Sequence, residues 1–264
     1  MQRLNKELRF IGHLIKLGLA GLMEYRASFL MQAVGMFINN GVYLVFWMLF
    51  FDRFKDVKGY QLEQIFLLFG FVALGFGIAY TFAGNAGRLA EFIAQGRLDY
   101  YLTLPRPVLP HVLFSRMGSF SVGDLTFGLM MYFFVGKFDL LSPILYLVCA
   151  VLAAVIFVSF SVITGCLAFY FGNASFVHMQ LQNTMITFSL YPIGLFQGTI
   201  RLILFTLIPA AFVGAVPVEI VQTRSPELLL GMIGVAIFSV LLMTFVFQVG
   251  LRRYESGSAL HVNL

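Results

Sequence analysis

Residues 140–200 read LLSPILYLVCAVLAAVIFVSFSVITGCLAFYFGNASFVHMQLQNTMITFSLYPIGLFQGTI, a stretch of 61 residues without Asp, Glu, Lys or Arg. A helix needs about 20 apolar residues to cross a hydrocarbon layer of about 30 Å, so this stretch is long enough for two crossings. The polar run Gly172, Asn173, Ala174 and Ser175 predicts the connection between them. We therefore predict two consecutive transmembrane helices, over residues 140–171 and 177–197.

Other apolar intervals extend this pattern to six crossings. Residues 27–51, 64–87 and 228–251 contain no charged side chain, and residues 109–136 include an apolar stretch after Arg116 that only Asp124 interrupts. The whole chain is 60% hydrophobic and 11% charged, with a mean hydropathy of +0.90, whereas soluble domains are about 25% charged. These values exclude a soluble globular protein. They predict an all-α membrane protein with a single transmembrane domain over residues 1–264.

The distribution of basic residues predicts how the six helices are oriented. Segments 1–26, 88–116 and 252–264 together hold eleven Lys and Arg, whereas the segments on the other side of the predicted membrane hold six. Because Lys and Arg accumulate in cytoplasmic segments, we predict that both termini are cytoplasmic. Residues 198–224 contain Pro209 and Pro217, which would interrupt a seventh crossing. We therefore predict an outer re-entrant hairpin there, between the fifth and sixth spans.

Residues 1–24 show the pattern of an amphipathic helix that lies on a membrane surface. The apolar face consists of Leu4, Leu8, Ile11, Ile15 and Leu22, and the basic face consists of Arg3, Lys6, Arg9, His13 and Lys16. Such a helix buries its apolar side chains among acyl chains and presents its cations to anionic headgroups. The pattern alone leaves open whether the helix has any further role.

Residues 88–107, the charged segment, form a second distinctive element between the second and third spans. Residues 88–95 are predicted to form two helical turns, Gly96 is placed to end that helix, and Pro105 and Pro107 require an extended exit. A short helix held by rigid chain is suited to transmitting force. An ordinary connector between two spans has the same features, so both interpretations stay open.

The sequence contains none of the motifs that support hydrolysis or metal catalysis. There is no G-x-x-x-x-G-K-[ST], H-E-x-x-H, C-x-x-C or G-x-S-x-G. The four histidines, His13, His111, His178 and His261, have no second ligand at metal spacing, so we predict that they are surface or interface residues. Cys149 and Cys166 are 17 residues apart in one predicted helix, a rise of about 25 Å, and cannot pair there. We predict no catalytic residue, metal site or cofactor on this chain.

A few polar side chains fall inside the predicted spans. Asp124, in the third span, is the only carboxylate well inside the membrane region, and it is either a proton relay or a group bonded to a partner helix. Asn39 and Asn40 in the first span, and Asn183 in the fifth, either line a translocation path or join helices by hydrogen bonds. Small residues in the second span predict close helix packing, namely Gly70, Gly75 and Gly77.

Three short sequences, together with the order of the predicted elements, indicate a family. They are QGRLDYYLTLP (95–105), a Tyr191-Pro192 pair followed by IPAAFV (208–213), and GLRRYESGS (250–258). With an amphipathic leader, two spans, a charged helix, three spans, a broken outer segment and a final span, the chain resembles the permease subunit of type 2 ABC transporters. The resemblance is to the ABC-2-like bacterial permease family and extends over nearly the whole length.

This resemblance implies a transport subunit that lacks its own ATPase. Family members pair with a second permease, identical or homologous, and bind two separate ABC ATPase subunits, which hold ATP and Mg²⁺. The implied activity is outward transport of a hydrophobic or amphiphilic compound across the bacterial cytoplasmic membrane, with membrane lipid but no nucleic acid as a further partner.

The resemblance also implies roles for particular segments. The leader would be a connecting helix and the charged segment a coupling helix, whose contacts with the ATPase would come from Arg88, Glu91, Phe92, Arg97, Asp99 and Tyr100. The principal alternative is a proton-coupled secondary transporter that uses Asp124 as its proton carrier. A third alternative is a membrane-embedded scaffold or a lipid-handling enzyme, and the absence of a catalytic cluster from the sequence argues against the enzyme.

Overall fold

The computed structural model describes residues 2–24, 26–54, 56–137 and 139–254, which are helical over most of their length. Within these residues the only strand-like feature is an isolated bridge between Val57 and Tyr60. The α-helices are α1 (Gln2–Glu24), α2 (Arg26–Arg53), α3 (Leu62–Phe82), α4 (Leu89–Ala94), α5 (Leu98–Leu102), α6 (Val108–Phe114), α7 (Ser121–Val135), α8 (Leu141–Gly165), α9 (Ala168–Phe171), α10 (Ser175–Ser189), α11 (Gly198–Thr206), α12 (Ala215–Thr223) and α13 (Pro226–Leu251). Short 3-10 turns occur at Ala86–Arg88, Ile193–Leu195 and Ala210–Phe212.

Four helices in the described part of the chain are long and apolar enough to cross a membrane. They are Arg26–Arg53, Leu62–Phe82, Leu141–Phe171 and Pro226–Leu251. A fifth is added if Gly198–Thr206 and Ala210–Thr223, which are bent by 64° relative to each other, are taken as one span. The long charge-free intervals of the sequence therefore correspond to long helices, and the fold is all-helical with four to five candidate spans.

The predicted third span, 109–136, is not one continuous helix. It is divided into α6 and the 15-residue α7 by residues 115–120. Tertiary contacts explain the break, because the Gly118 amide donates to the Tyr80 carbonyl oxygen at 3.1 Å and the Gly84 amide donates to the Arg116 carbonyl oxygen at 3.0 Å. The end of α3 thus satisfies backbone groups that a continuous helix would have satisfied itself.

The predicted fifth span and the outer segment also contain breaks. Helix α10 has 15 residues and ends at Ser189, shortly before Pro192. Pro209 lies at the bend between α11 and the following turn, as a helix-breaking residue should. Pro217 instead lies in the first turn of α12, where the missing amide hydrogen has no intrahelical partner to lose.

Helix α3 forms the centre of the bundle, between α7 and α8. A Cβ atom added at Gly77 would lie 2.5 Å from the backbone nitrogen of Leu125 in α7. One added at Gly75 would lie 3.0 Å from Ala153 in α8, and one at Gly70 would lie 2.6 Å from the Tyr146 hydroxyl. The prediction that these glycines permit close helix packing is confirmed.

Replacing Gly77 by alanine is expected to lower the thermal stability of the purified protein. The new methyl group would press on the α7 backbone, and overpacking of this kind costs about 1–3 kcal/mol. Gly41→Ala in α2 is the matched control, because a Cβ atom added there would have nothing within 4 Å. Unfolding can be followed by thiol labelling of Cys149 and Cys166, which are both buried and free. Equal midpoints for the two variants would contradict the close contact.

Contacts at the two ends of the bundle join segments that the predicted orientation assigns to the same side. At one end, Glu7 of α1 pairs with Arg106 of the charged segment at 3.1 Å. At the other, Arg224 after α12 pairs with Asp139 before α8 at 2.6 Å. Six crossings with both termini on one side would bring these same segments together, so the contacts are consistent with that prediction.

Candidate functional site

The charged segment folds as a short helical hairpin that begins with the turn Ala86–Arg88 and continues through α4 and α5. Helix α4 ends in the motif that the sequence predicted. Gly96 has a φ of +68°, its amide donates to the Ile93 carbonyl oxygen, and the Arg97 amide donates to the Phe92 carbonyl oxygen at 3.0 Å. A residue without Cβ adopts this left-handed conformation without strain, so Gly96 allows the chain to reverse between α4 and α5.

The charges of this segment are largely paired with one another. Arg88 donates two hydrogen bonds of 3.1 Å to the Glu91 carboxylate, and Arg97 lies 3.8 Å from the same group. The hydrogen bond from Arg88 is the main reason why the pKa of Glu91 lies below its ordinary value of 4.5. This pairing is therefore present at neutral pH, and it is lost only when the pH falls through that lowered pKa.

The apolar side of the segment packs into the bundle. Leu89, Ala90 and Leu98 are completely buried, and Phe92 is only 9% exposed. The contact with α8 is close, because a Cβ atom added at Gly165 would lie 3.0 Å from the Leu89 Cβ. Phe92 was expected to be an apolar contact for a partner protein, but its side chain faces the interior of its own chain.

The surface that the segment presents outward is formed by other residues. Tyr100 is 65% exposed and Leu102 is 43% exposed, and the side chain of Arg97 is 48% exposed. Asp99 is oriented towards the end of α13, where its carboxylate adds to the effect of burial in raising the pKa of Tyr254. Tyr100 was predicted from the sequence and Leu102 was not, because periodicity over five residues does not separate the buried Leu98 from the exposed Leu102.

The leader helix α1 is attached to the charged segment. Arg106 pairs with Glu7, and its guanidinium lies 4.4 Å from the centre of the Phe10 ring. The Phe10 ring in turn packs edge-on against His111, which packs against Tyr101 of α5. The helix and the segment therefore form one surface through mixed ionic and aromatic contacts.

The amphipathic pattern of α1 is visible in the structure. Among its described side chains, Lys6, Arg9, His13 and Lys16 are exposed, whereas Ile11, Ile15 and Leu22 are half-buried. Arg3, Leu4 and Leu8 belong to the helix, but their side chains lie outside the described part. Residues 255–264, which include the last part of the GLRRYESGS sequence and His261, also lie outside it.

Replacing Arg106 by glutamate is expected to release α1 from the charged segment. The substitution removes a partly exposed ion pair and a cation–π contact, each worth about 1 kcal/mol or less. We expect amide hydrogen exchange in residues 6–16 to become several-fold faster. The double variant Arg106→Glu with Glu7→Arg restores the ion pair and should slow the exchange again. Unchanged exchange in the single variant would show that the attachment has another cause.

Three of the four predicted intramembrane polar residues lie together. The Asn40 amide donates to Asp124 Oδ1 at 2.6 Å, while Asp124 Oδ2 has no hydrogen-bond partner within the described residues. Both residues line a pocket of about 170 Å³ between α2, α3, α7 and α10, together with Asn39, Tyr43 and Thr187. Asn183 is exposed on α10 and does not line this pocket. The observed contact fits Asp124 as a group bonded to a neighbouring helix.

A second buried polar network was not predicted. The Tyr80 hydroxyl donates to Gln182 at 2.7 Å, Gln182 lies 3.4 Å from Thr164, and Thr164 lies 2.9 Å from His178 Nδ1. The other ring nitrogen of His178 lies 3.2 Å from the carbonyl oxygen of Gly87, which directly precedes Arg88. His178 was expected at a surface or interface, and it is buried instead, at 2% exposure. The network joins α3, α8 and α10 to the start of the charged segment.

Within the described ranges, no three His, Cys, Asp or Glu side chains come together as a possible metal site. Among known proteins, a family model described as "ABC-2 family transporter protein" matches residues 37–258. The match includes the charged segment, the Asp124 pocket and the outer segment, but not α1. No curated protein and no solved structure matches the chain.

Proposed function

The chain belongs to the ABC-2 transporter family, and from this premise we propose that it exports a hydrophobic or amphiphilic compound as part of a four-subunit complex. It is a multi-pass membrane protein and the permease component of an ABC transporter. Members of this family are membrane components rather than ATPases. In the proposed complex, two permeases, identical or homologous, lie in a bacterial cytoplasmic membrane above two ABC ATPase subunits, which bind ATP and Mg²⁺.

The observation that carries the proposed coupling is the two-sided character of the charged segment. Its apolar side is buried against α8, so any displacement of the segment is passed to the bundle. Its outer side exposes Tyr100, Leu102 and Arg97, of which the tyrosine and the arginine are of types enriched at protein interfaces. A plain connector needs neither the buried anchor nor the exposed group.

The remaining candidates divide into direct and indirect roles. We assign direct ATPase contact to Tyr100 and Arg97, and positioning roles to Arg88 and Glu91, whose mutual pairing fixes the start of α4. Asp99 lies towards Tyr254 and would connect the segment to the end of α13. Phe92 anchors the segment from within.

The test is recovery of partners with the tagged full-length chain from native membranes solubilised in a mild detergent. Recovery of a soluble protein with a Walker A motif together with a second permease would support the four-subunit complex. Recovery of the chain alone, or only with itself, would overturn the proposal. It would favour the proton-coupled alternative, for which the specific observation is that one oxygen of Asp124 has no hydrogen-bond partner among the described residues.

A further inference from the structure

A cavity near the charged segment lies between α3, α6, α8 and α13 and is separate from the Asp124 pocket. Its volume is about 660 Å³, within the range of about 300–1,000 Å³ that is usual for sites of small organic ligands. Ile78, Ala79 and Phe82 of α3 line this cavity, whereas Ala73 and Phe76 of the same helix line the Asp124 pocket. The two spaces therefore lie on different faces of α3.

The lining of the cavity selects an apolar occupant. Aliphatic and aromatic side chains make up nearly all of it, and its polar members are Ser159, Thr244 and Gln248. Its open side is marked by the exposed lining residues Val151 and Val240, which lie within two helices long and apolar enough to cross a membrane. An opening at that position faces acyl chains rather than water.

At one end of the cavity, the lining residues Pro107 and Leu251 are next in sequence to Arg106 and Arg252. Arg106 is paired with Glu7, so Arg252 is the candidate cation for a ligand. Arg252 is exposed and follows Gln248 by one helical turn, so the two side chains lie on the same side of α13. A cation at the end of an apolar groove attracts the phosphate of an anionic lipid headgroup.

A buried hydroxyl supplies a second, independent indication of a ligand. Ser159 is completely buried and lines the cavity, and its hydroxyl has no hydrogen-bond partner within the described residues. It lies 12 residues before the end of the candidate span Leu141–Phe171, about 18 Å from that end, and therefore deep within the hydrocarbon layer.

From these observations we propose that the cavity binds one acyl chain of an anionic membrane phospholipid, with its phosphate near Arg252. Pro107, the last residue of the charged segment, lines the cavity, and so do residues 108–110, which directly follow it. The bound lipid therefore packs against the junction between that segment and the helix bundle. The proposal concerns a resident lipid and does not depend on the identity of the transported compound.

The proposal can be tested by native mass spectrometry of the delipidated full-length chain. The probes are phosphatidylglycerol and phosphatidylcholine with identical acyl chains. Val158→Phe fills the cavity and is expected to lower phosphatidylglycerol binding about tenfold, whereas Val148→Phe, an exposed valine of the same helix outside the lining, should not. Arg252→Gln should remove the preference for phosphatidylglycerol, and Arg53→Gln at the other end of the bundle should not.

A labelling measurement on the wild-type chain avoids dependence on the folding of variants. Phosphatidylglycerol with a photoreactive group in its acyl chain is expected to label peptides 107–114 and 240–251. Labelling confined to other lipid-facing helices such as α2 would overturn the proposal. Equal binding of phosphatidylglycerol to the Val158→Phe and Val148→Phe variants would also overturn it.

Discussion

Replacing Tyr100 and Leu102 together by glutamate is expected to reduce recovery of the ATPase with the tagged chain at least tenfold, while leaving insertion and folding intact. Both side chains are exposed, at 65% and 43%, so their replacement removes little packing within the chain. Tyrosine is enriched among the interface residues whose truncation costs about 2 kcal/mol or more, and the neighbouring leucine would help to exclude water around it. Two carboxylates in their place would need to be desolvated on binding, which adds to the loss.

The chain offers a closely matched control for this double substitution. Tyr191 and Leu195 are exposed to 42% and 40% and lie at the opposite end of the bundle, after α10. The Tyr191→Glu, Leu195→Glu variant should retain the ATPase. Recovery of the ATPase is measured alongside wild type by quantitative pull-down. Full recovery with the Tyr100, Leu102 variant would contradict the assignment of this surface to ATPase contact. So would an equal loss in both double variants.

Phe92→Ala distinguishes a contact residue from an anchor. Because Phe92 is buried, its truncation leaves a cavity between α4 and the bundle rather than removing a partner contact. We expect a lower unfolding midpoint, with ATPase recovery falling only in proportion to the loss of folded protein. If the variant lost the ATPase but kept the stability of the wild type, Phe92 would instead be a residue that contacts the ATPase.

The long helices were predictable because lipid imposes a simple requirement on sequence. Charge-free intervals of 24 residues or more in the first, second and last spans correspond to α2, α3 and α13. The helix end at Gly96 was predictable because a glycine adopts a positive φ without strain, whatever the distant contacts of the chain. Both features depend on residues that are close in sequence.

The details that sequence did not predict depend on contacts between distant parts of the chain. The break before α7 is stabilised by the end of α3, and His178 is buried because Gly87, 91 residues earlier, offers it a carbonyl oxygen. Asn40 rather than Asn183 meets Asp124 because of how α2 packs on α7. Periodicity in a six-residue helix was likewise too short to show that Phe92 faces inward.

Asp124→Asn is expected to leave more than half of the ATP hydrolysis rate of the reconstituted complex, whereas Asp124→Leu should lower it severalfold. In the wild-type chain the Asn40 amide donates to Asp124 at 2.6 Å, and an asparagine at position 124 keeps an oxygen that can accept this hydrogen bond. Leucine leaves the Asn40 amide without its partner in an apolar setting, which costs about 1–3 kcal/mol. The ATP hydrolysis rate should therefore depend on the hydrogen bond to Asn40 and not on a titratable proton at position 124.

The same variants separate this role from proton transport. Proteoliposomes that contain a pH-sensitive dye report proton entry driven by an imposed gradient, with the complex or with this chain alone. If Asp124 carried protons, asparagine would be as damaging as leucine, because neither can bind and release a proton at ordinary pH. Asn183→Leu removes an exposed amide outside the pocket and controls for the general loss of a polar group. Dye responses that disappear in Asp124→Asn and persist in Asn183→Leu would favour the proton carrier, because a hydrogen-bonding Asp124 predicts no difference between those two variants.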